Sequence, residues 1–483
     1  MKMIKQYDLW ISGEWRSAEQ YEKLHSPYNG EEIAVIAQAT PAEAAAAIEA
    51  AHQAYKSYRH MPAGRRSQIL YSVADLIHKR KDELAEVIAL EAAKPLAAAR
   101  AEIARTVETY RFAAEAAKAI TGEQVAMDAA EGGQGRLGFT VRTSIGVVTA
   151  ITPFNFPFNL VAHKVGPALA AGNTVVVKPA EQTPLSALLL AELFTEAGLP
   201  SGVLNIVTGQ GVQLGETLAT HPLVKKVSFT GSHAVGEQLQ RQAGLRRTTL
   251  ELGSNSALII DEGTDIDAVL PRCIAGAFGY NGQVCISLQR ILVHDSLYDS
   301  FVERFAYAAE RLVVGSPQEE TTALTSLISD KAAKRVAAWV DEAIAAGANS
   351  VAGGRMLEGP GRNLYAATVL TNVPRFAKVW TEEVFGPVAV IMPFAKLEEA
   401  IEVVNESRYG LMAGIYTANI HHAMTAALEL EAGGVVINDI PTFRVDQMPY
   451  GGVKDSGKGT EGVAYAVQEM TQLKLIAIHL GSG

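Results

Sequence analysis

The 483-residue sequence predicts an α/β protein built on two parallel-sheet units. Three observations predict it. Short β-branched, apolar runs alternate with helical patterns from about residue 144 to 252. The same alternation returns from about 255 to 440. Two further β-like stretches, 122–143 and the C-terminal tail "MTQLKLIAIHL", fall outside both units, so each needs a strand partner. Strand–helix alternation with short connections means parallel strands and crossover helices, and such sheets bind ligands at the carboxyl ends of their strands.

The first third reads as mostly helical. "PAEAAAAIEAAHQAYKSY" opens with Pro41, carries Glu43 in its first turn and then fills with strong helix formers. The long segment from "SQILYSVADL" to "FAAEAAKAI" repeats apolar residues at helical spacing, as packed amphipathic helices do. From "GRLGFTVRTSIGVVTAITP" the pattern turns to strands. "NTVVVKP" is a buried strand, and "PLSALLLAELFTEAG" a helix closed by Gly198. "VLNIVTG", "VKKVSFTG" and "TTLELG" are strands separated by the helices "VQLGETLATH" and "SHAVGEQLQRQAG". A boundary falls near "LELGSNS". Beyond it come "SALIID", a helix over "AVLPRCIAGAFGYNGQ", "RILVHD", the helix "LYDSFVERFAYAAERL", "AVIMPF", "LEEAIEVVNES" and "GGVVIND".

Composition excludes several classes. Half the chain is hydrophobic (48%), as a globular protein with large cores requires. A net charge of −10 is the wrong sign for a broad nucleic-acid face. Two cysteines cannot make a disulfide scaffold, which fits a cytoplasmic protein. "MKMIKQYDLWISGEW" lacks the apolar core of a signal peptide, and no apolar run is long enough to span a bilayer. The sequence therefore predicts neither a nucleic-acid nor a membrane partner, and no metal site.

Candidate chemistry lies at strand ends. "VTGQGVQLG" gives G-x-G-x-x-x-G at Gly209, Gly211 and Gly215, one residue too long for the dinucleotide fingerprint. "FTGSHAVG" sets Gly231 and Ser232 where a strand meets a helix, and a helix N-terminus suits a pyrophosphate. A bare turn explains either run taken alone. Lys178 ends a buried strand with Glu181 three residues on, a donor and an acceptor for a nucleotide ribose. Asn155, in "ITPFNFPFNL", is either a turn-maker or a fixed amide donor. Glu251, at an apolar strand end, suits a base with a raised pKa. Cys273 sits in a helical run and reads as packing. Cys285 lies in "NGQVCIS" among polar residues, where a thiol can be exposed and activated.

Taken in order, "PFNFP", "GPALAAGNTVVVKPAEQTP", "FTGS", "LELG", "GQVC", "EEVFGP" and "MPYGGVKDSG" resemble the NAD(P)-dependent aldehyde dehydrogenase superfamily, from about residue 5 to the C-terminus. The resemblance implies an aldehyde-dehydrogenase-like α/β fold with three parts. A variant Rossmann cofactor domain takes 1–121 and 144–252. An α/β catalytic domain takes 253–449. A small β oligomerisation element takes 122–143 and 464–483. It also implies NAD-dependent oxidation of an aldehyde to its acid through a cysteine thiohemiacetal and thioester, in a homodimer or homotetramer, with NADP as a possible cofactor. Cys285 corresponds to the nucleophile, Asn155 to the oxyanion donor and Glu251 to the deacylating base. Lys178, Glu181, Gly231, Ser232, Glu383 and Phe385 correspond to cofactor contacts, and Phe156, His163 and Arg444 to the substrate tunnel. A His and an Arg there imply a small polar or anionic aldehyde; an Arg444–Asp446 structural pair is the competing explanation. "ELGSNSA" departs from the family's Glu-Leu-Gly-Gly at Ser254 and Ala257, which leaves Glu251 in place but alters its surroundings. CoA-acylating chemistry, an NADP preference, and a catalytically silent binding protein on the same fold stand as alternatives.

Overall fold

A computed structural model describes residues 5–359 and 361–481. Residues 1–4 of the expected first domain and 482–483 of the expected C-terminal element lie outside the described residues.

An eight-stranded sheet organises the first half. Its five central strands are parallel: Arg247–Glu251, Val224–Thr230, Val147–Ile151, Thr174–Lys178 and Leu204–Ile206, in that spatial order. Gly457–Lys458 pairs antiparallel on one edge, and Leu9–Ile11, followed by Glu14–Arg16, extends the other. A seven-stranded sheet, parallel but for Asn349–Ala352, organises the second half. In its middle lie Val388–Phe394, Arg290–His294, Ala257–Ile260 and Met412–Tyr416, and Gly434–Ile437 forms one edge.

The helices form where their sequences favour them. Pro41–Tyr58 is fixed at its start by a capping box: the Glu43 amide donates to Thr40 Oγ1 at 3.3 Å, and the Thr40 amide donates to Glu43 Oε2 at 2.7 Å. Ala63–Lys79 and Leu96–Lys118 bury Ile69, Val73, Ile103, Val107 and Tyr110 in one core with strands Val147–Ile151 and Thr174–Lys178. No helix among the described residues is long and apolar enough to cross a membrane.

The first third is less helical than its sequence suggests. Five strands lie between Lys5 and Gln38. Three of them are only three residues long, too short for a period-2 pattern to stand out. The two orphan β-like stretches pair with each other: Thr471–His479 runs antiparallel to Arg136–Ser144 over nine residues. Gln124–Val125 completes that three-stranded sheet.

Register positions the chemistry. Ile151 pairs with Lys178, and Thr230 with Glu251, so four chain segments leave the first sheet at one carboxyl edge. That edge meets the amino edge of the second sheet, because Glu251 precedes the strand Ala257–Ile260 and Cys285 precedes its neighbour Arg290–His294.

Candidate active site

Cys285 follows a forced turn. The helix expected to run through "GYNGQ" stops at Phe278. Tyr280 (φ 48°), Asn281 (φ 55°) and Gly282 (φ 67°) then adopt the left-handed conformation in succession. Non-glycine residues there cost about 1–2 kcal/mol each, so the surroundings must impose it. Asn281 donates to the Thr325 and Ser326 carbonyls at 3.0 Å and accepts from the Thr325 amide at 2.9 Å. The Tyr280 hydroxyl donates to the Ala92 carbonyl at 2.9 Å. A Cβ on Gly282 would stand 2.1 Å from the Gly386 carbonyl oxygen, so only glycine fits.

Cys285 is half-buried and lines a cavity of about 230 Å³. Its Sγ lies 3.0 Å from the Tyr450 hydroxyl. Burial pushes the thiol up to about 11, opposed by the Tyr450 hydrogen bond and the nearby Arg444 charge. Asn155 is buried beside it, and its Nδ2 donates to the Gln283 carbonyl at 2.9 Å. The loop bearing Asn155 is held by Lys94, whose Nζ donates to the Asn155 carbonyl at 2.8 Å and to Glu102 Oε2 at 2.7 Å. Glu102 in turn accepts from the Phe158 and Asn159 amides. Lys94 Nζ also sits 3.5 Å from the centre of the Phe156 ring, which lines the cavity.

Glu251 is buried, and neither carboxylate oxygen has a hydrogen-bond partner among the described residues. Burial, with Glu461 nearby, pushes its pKa well above the carboxylate range, while Arg444 and Lys164 pull it back. Burial works against the Glu461 charge too, but the Lys164 and Arg444 charges hold that carboxyl down to about 2. The departure at Ser254 has a partner: its amide donates to Glu383 Oε1 at 3.0 Å and its hydroxyl meets that of Ser256 at 3.1 Å.

Two arginines, Arg105 and Arg444, line the same cavity. Arg444 (side chain 7% exposed) pairs with Glu461 at 3.1 Å, not with Asp446. Asp446 instead takes two bonds from Arg105, at 3.2 and 2.7 Å, because helix Leu96–Lys118 carries that guanidinium across to it. His163, expected in the tunnel, does not line the cavity. Asn159 does, and His163 lies one helical turn deeper, fully buried, with Nε2 2.8 Å from Asp446 Oδ1. Burial opposes the Asp446 charge, but bonds from His163 and Arg105 keep it well below the usual carboxylate range. Sequence reasoning missed Lys94, Arg105, Lys164, Tyr450 and Glu461. Only Lys94, a cation inside the apolar run "ALEAAKPLAAA", and Lys164, in "NLVAHKVG", signalled themselves locally.

The expected cofactor residues lie along the carboxyl edge of the first sheet. Lys178 is nearly buried, which lowers its pKa, and its Nζ is 3.8 Å from Glu181 Oε1. Glu181 is about half exposed, fixed by the Gly211 amide at 2.6 Å, and opens on a cleft of about 730 Å³. Gly231 and Ser232 precede helix His233–Ala243, and no side chain caps its first amides. Thr152 and Thr230 have buried hydroxyls without partners among the described residues at the same edge. Burial pushes Glu383 up to about 7. A Cβ on Gly253 would lie 2.6 Å from Glu383 Oε2, so glycine is needed for that approach. Phe385 (φ 48°) meets Phe154 edge-on at 5.8 Å. Free helix amides, unpartnered hydroxyls and a fixed carboxylate suit a dinucleotide. Among the described residues no group of three or more His, Cys, Asp or Glu is arranged to hold a metal ion.

Comparison with known proteins gives a consistent result. The model of the aldehyde dehydrogenase family matches residues 15–476. The 3-sulfolactaldehyde dehydrogenase of Priestia aryabhattai is 44% identical over 480 residues, covering 99% of each chain. The structure of aldehyde dehydrogenase 21 from Physcomitrella patens, in complex with the reaction product succinate, superposes with a TM-score of 0.96 at 36% identity, covering 99% of both chains. The NAD+ complex of a Bacillus cereus aldehyde dehydrogenase superposes at 0.95 with 36% identity, covering 99% of this chain and 97% of that one.

Proposed function

Because the chain belongs to the aldehyde dehydrogenase family, we propose that it oxidises a small aldehyde with an anionic or hydroxylated far end to the carboxylic acid, with NAD+ as cofactor. The observation that carries this reading is the cavity itself: Cys285, Arg105 and Arg444 line one space of about 230 Å³. Such a volume takes a few heavy atoms, and a guanidinium suits carboxylate, sulfonate or phosphate oxygens. The sulfolactaldehyde relative and the succinate-bound neighbour fit the same chemistry.

The residues divide the work. The Cys285 thiolate attacks the aldehyde carbon, forming a C–S bond and an oxyanion. Asn155 Nδ2, which keeps one hydrogen beyond its bond to Gln283, and the Cys285 amide are the oxyanion donors; one such donor lowers a barrier by about 3–4 kcal/mol. Lys178 and Glu181 hold the adenosine ribose, Gly231 and Ser232 the pyrophosphate, and Glu383 and Phe385 the nicotinamide side. The bound NAD+ supplies the hydride acceptor. Glu251 takes a proton from water, which then hydrolyses the thioester on Cys285. With no hydrogen-bond partner among the described residues, that carboxylate is open to a water.

The test is an aldehyde panel run with both cofactors, following the absorbance of reduced nicotinamide. Small anionic aldehydes are expected to give the highest kcat/KM, with NAD+ favoured by roughly tenfold, because the Glu181 carboxylate accepts from a ribose 2′-OH and repels a 2′-phosphate. Equal rates with NADP+, or a preference for long alkyl aldehydes, would contradict the reading.

Arg105→Gln separates substrate recognition from structure. Loss of a charged hydrogen bond in the cavity is expected to lower kcat/KM for an anionic aldehyde roughly 10–150-fold, and for propanal only slightly. An equal loss for both would make Arg105 a structural partner of Asp446.

The protein is cytoplasmic in this account, since its cysteines are both free: one is packed in the core and the other is the nucleophile. It also assembles into homodimers or homotetramers. Thr471–His479 exposes Leu473, Leu475 and Ile478 on an edge strand, and Gly434–Ile437 is a second free edge with Ile437 exposed. Open apolar edges of this kind recruit another strand. Light scattering that returned the 51.5 kDa monomer would contradict the assembly.

A further inference from the structure

We propose that the Tyr450 hydroxyl is a catalytic group: it donates the hydrogen bond that stabilises the Cys285 thiolate and so sets how much nucleophile is present near neutral pH. The proposal rests on Cys285 being the nucleophile. Among the described residues the Tyr450 hydroxyl, at 3.0 Å, is the sole hydrogen-bond partner of Sγ. Against a thiol either atom can donate. A thiolate has no hydrogen, so only the phenol can, and a bond to a charged acceptor is the stronger kind.

The phenol cannot swing away. Tyr450 is 2% exposed and packs with Ile286, Leu411 and Met412. Its backbone amide donates to the Glu461 carbonyl at 3.0 Å and its carbonyl accepts from the Glu461 amide at 2.6 Å. The Arg444 guanidinium lies 3.6 Å from the ring centre, and a cation there makes the phenol a better donor.

The charges around the sulfur do not make this donor redundant. Lys94 is matched by Glu102, Arg105 by Asp446 and Arg444 by Glu461. Glu251 and Glu383 face the thiol as well and disfavour its ionisation. Tyr450 is thus the neutral donor in direct contact. In the step it assists, the S–H bond breaks and its proton passes to water while the phenol keeps its own. The sulfur electron pair then forms the C–S bond as the carbonyl π pair moves to oxygen, and the phenol's bond weakens as charge leaves sulfur.

The test is the pH dependence of iodoacetamide alkylation, read at Cys285 by peptide mass spectrometry, for wild type and Tyr450→Phe. Removing the hydroxyl raises the thiol's midpoint. Thiolate fraction falls tenfold per pH unit, while the remaining thiolate becomes more nucleophilic with a Brønsted slope of about 0.4–0.5. A one-unit rise therefore slows alkylation about threefold at every pH below the thiol's midpoint, and the deficit shrinks and reverses only as pH climbs through it. Phenylalanine keeps the ring beneath Arg444. Should that variant fold poorly, 3-fluorotyrosine placed at 450, a more acidic donor, gives the opposite shift. Superimposable profiles, or a slowing that persists unchanged above the thiol's midpoint, would overturn the role of Tyr450. Alkylated wild type that still turned over would instead remove Cys285 as the nucleophile, a failure of the underlying reading that the Phe variant does not imitate.

Discussion

Cys285→Ala is expected to lower kcat/KM for aldehyde oxidation by about 10⁴-fold or more while leaving NAD+ affinity nearly unchanged. The size of the effect follows from the role. Without the sulfur no covalent intermediate forms, and the residual rate is that of an oriented aldehyde alone. The substitution removes one atom from a half-buried position, so the fold has little reason to respond. Cys273→Ala supplies the contrast. That thiol is wholly buried in the helix Ile266–Phe278, and burial pushes it up to about 12, so it is inert. Its loss is expected to cost about 1 kcal/mol of stability and little activity. Stopped-flow rates and a fluorescence titration with NAD+ check both variants. Equal damage to activity from the two would deny Cys285 its special role.

Glu251→Gln is expected to give a first-turnover burst of NADH and then stall, with steady-state kcat lower by about 10²–10⁴-fold. Glutamine fills the same space but cannot accept a proton from water. The wild-type pH profile should carry the same signature. Burial and Glu461 raise the Glu251 pKa, so the carboxylate form is scarce at low pH and grows as pH rises through that raised value. A deacylation-limited rate climbs accordingly, and the climb disappears in the Gln variant. An unchanged steady state would mean that bulk water or another group performs deacylation. The altered surroundings at Ser254 would then be the first place to look, since its amide holds Glu383 and not the base.

Residues inside contiguous motifs were legible from sequence because local chemistry places them. A strand end with a lysine and a glutamate three residues on, or a glycine-rich strand–helix turn, has the same geometry wherever the strand goes. Lys178 and Gly231 therefore lie on the edge their motifs implied. The charged cluster around Arg105 and Arg444 was less legible because its members converge from distant segments. Arg105 reaches Asp446 across 341 residues, and Lys164 reaches Glu461 across 297. Neither spacing carries any periodic signal. His163 was misplaced for a related reason: helix Asn159–Ala170 is buried on every face, so its sequence does not say which turn looks into the cavity. The left-handed run at Tyr280 and Asn281 was invisible because two of its three residues are not glycine. Contacts to Ala92, Thr325 and Ser326, not local preference, hold it. The short strands before residue 38 escaped because three residues define no period.

Cys285 carries the acyl group between oxidation and hydrolysis in the proposed reaction. Mass spectrometry of Glu251→Gln, quenched in acid after reaction with an aldehyde and NAD+, detects that acyl group. One acyl group per active site is expected, mapped to the peptide holding Cys285 and released by hydroxylamine, in amounts matching the NADH burst. NADH formed without any adduct, or an adduct on another residue, would contradict it.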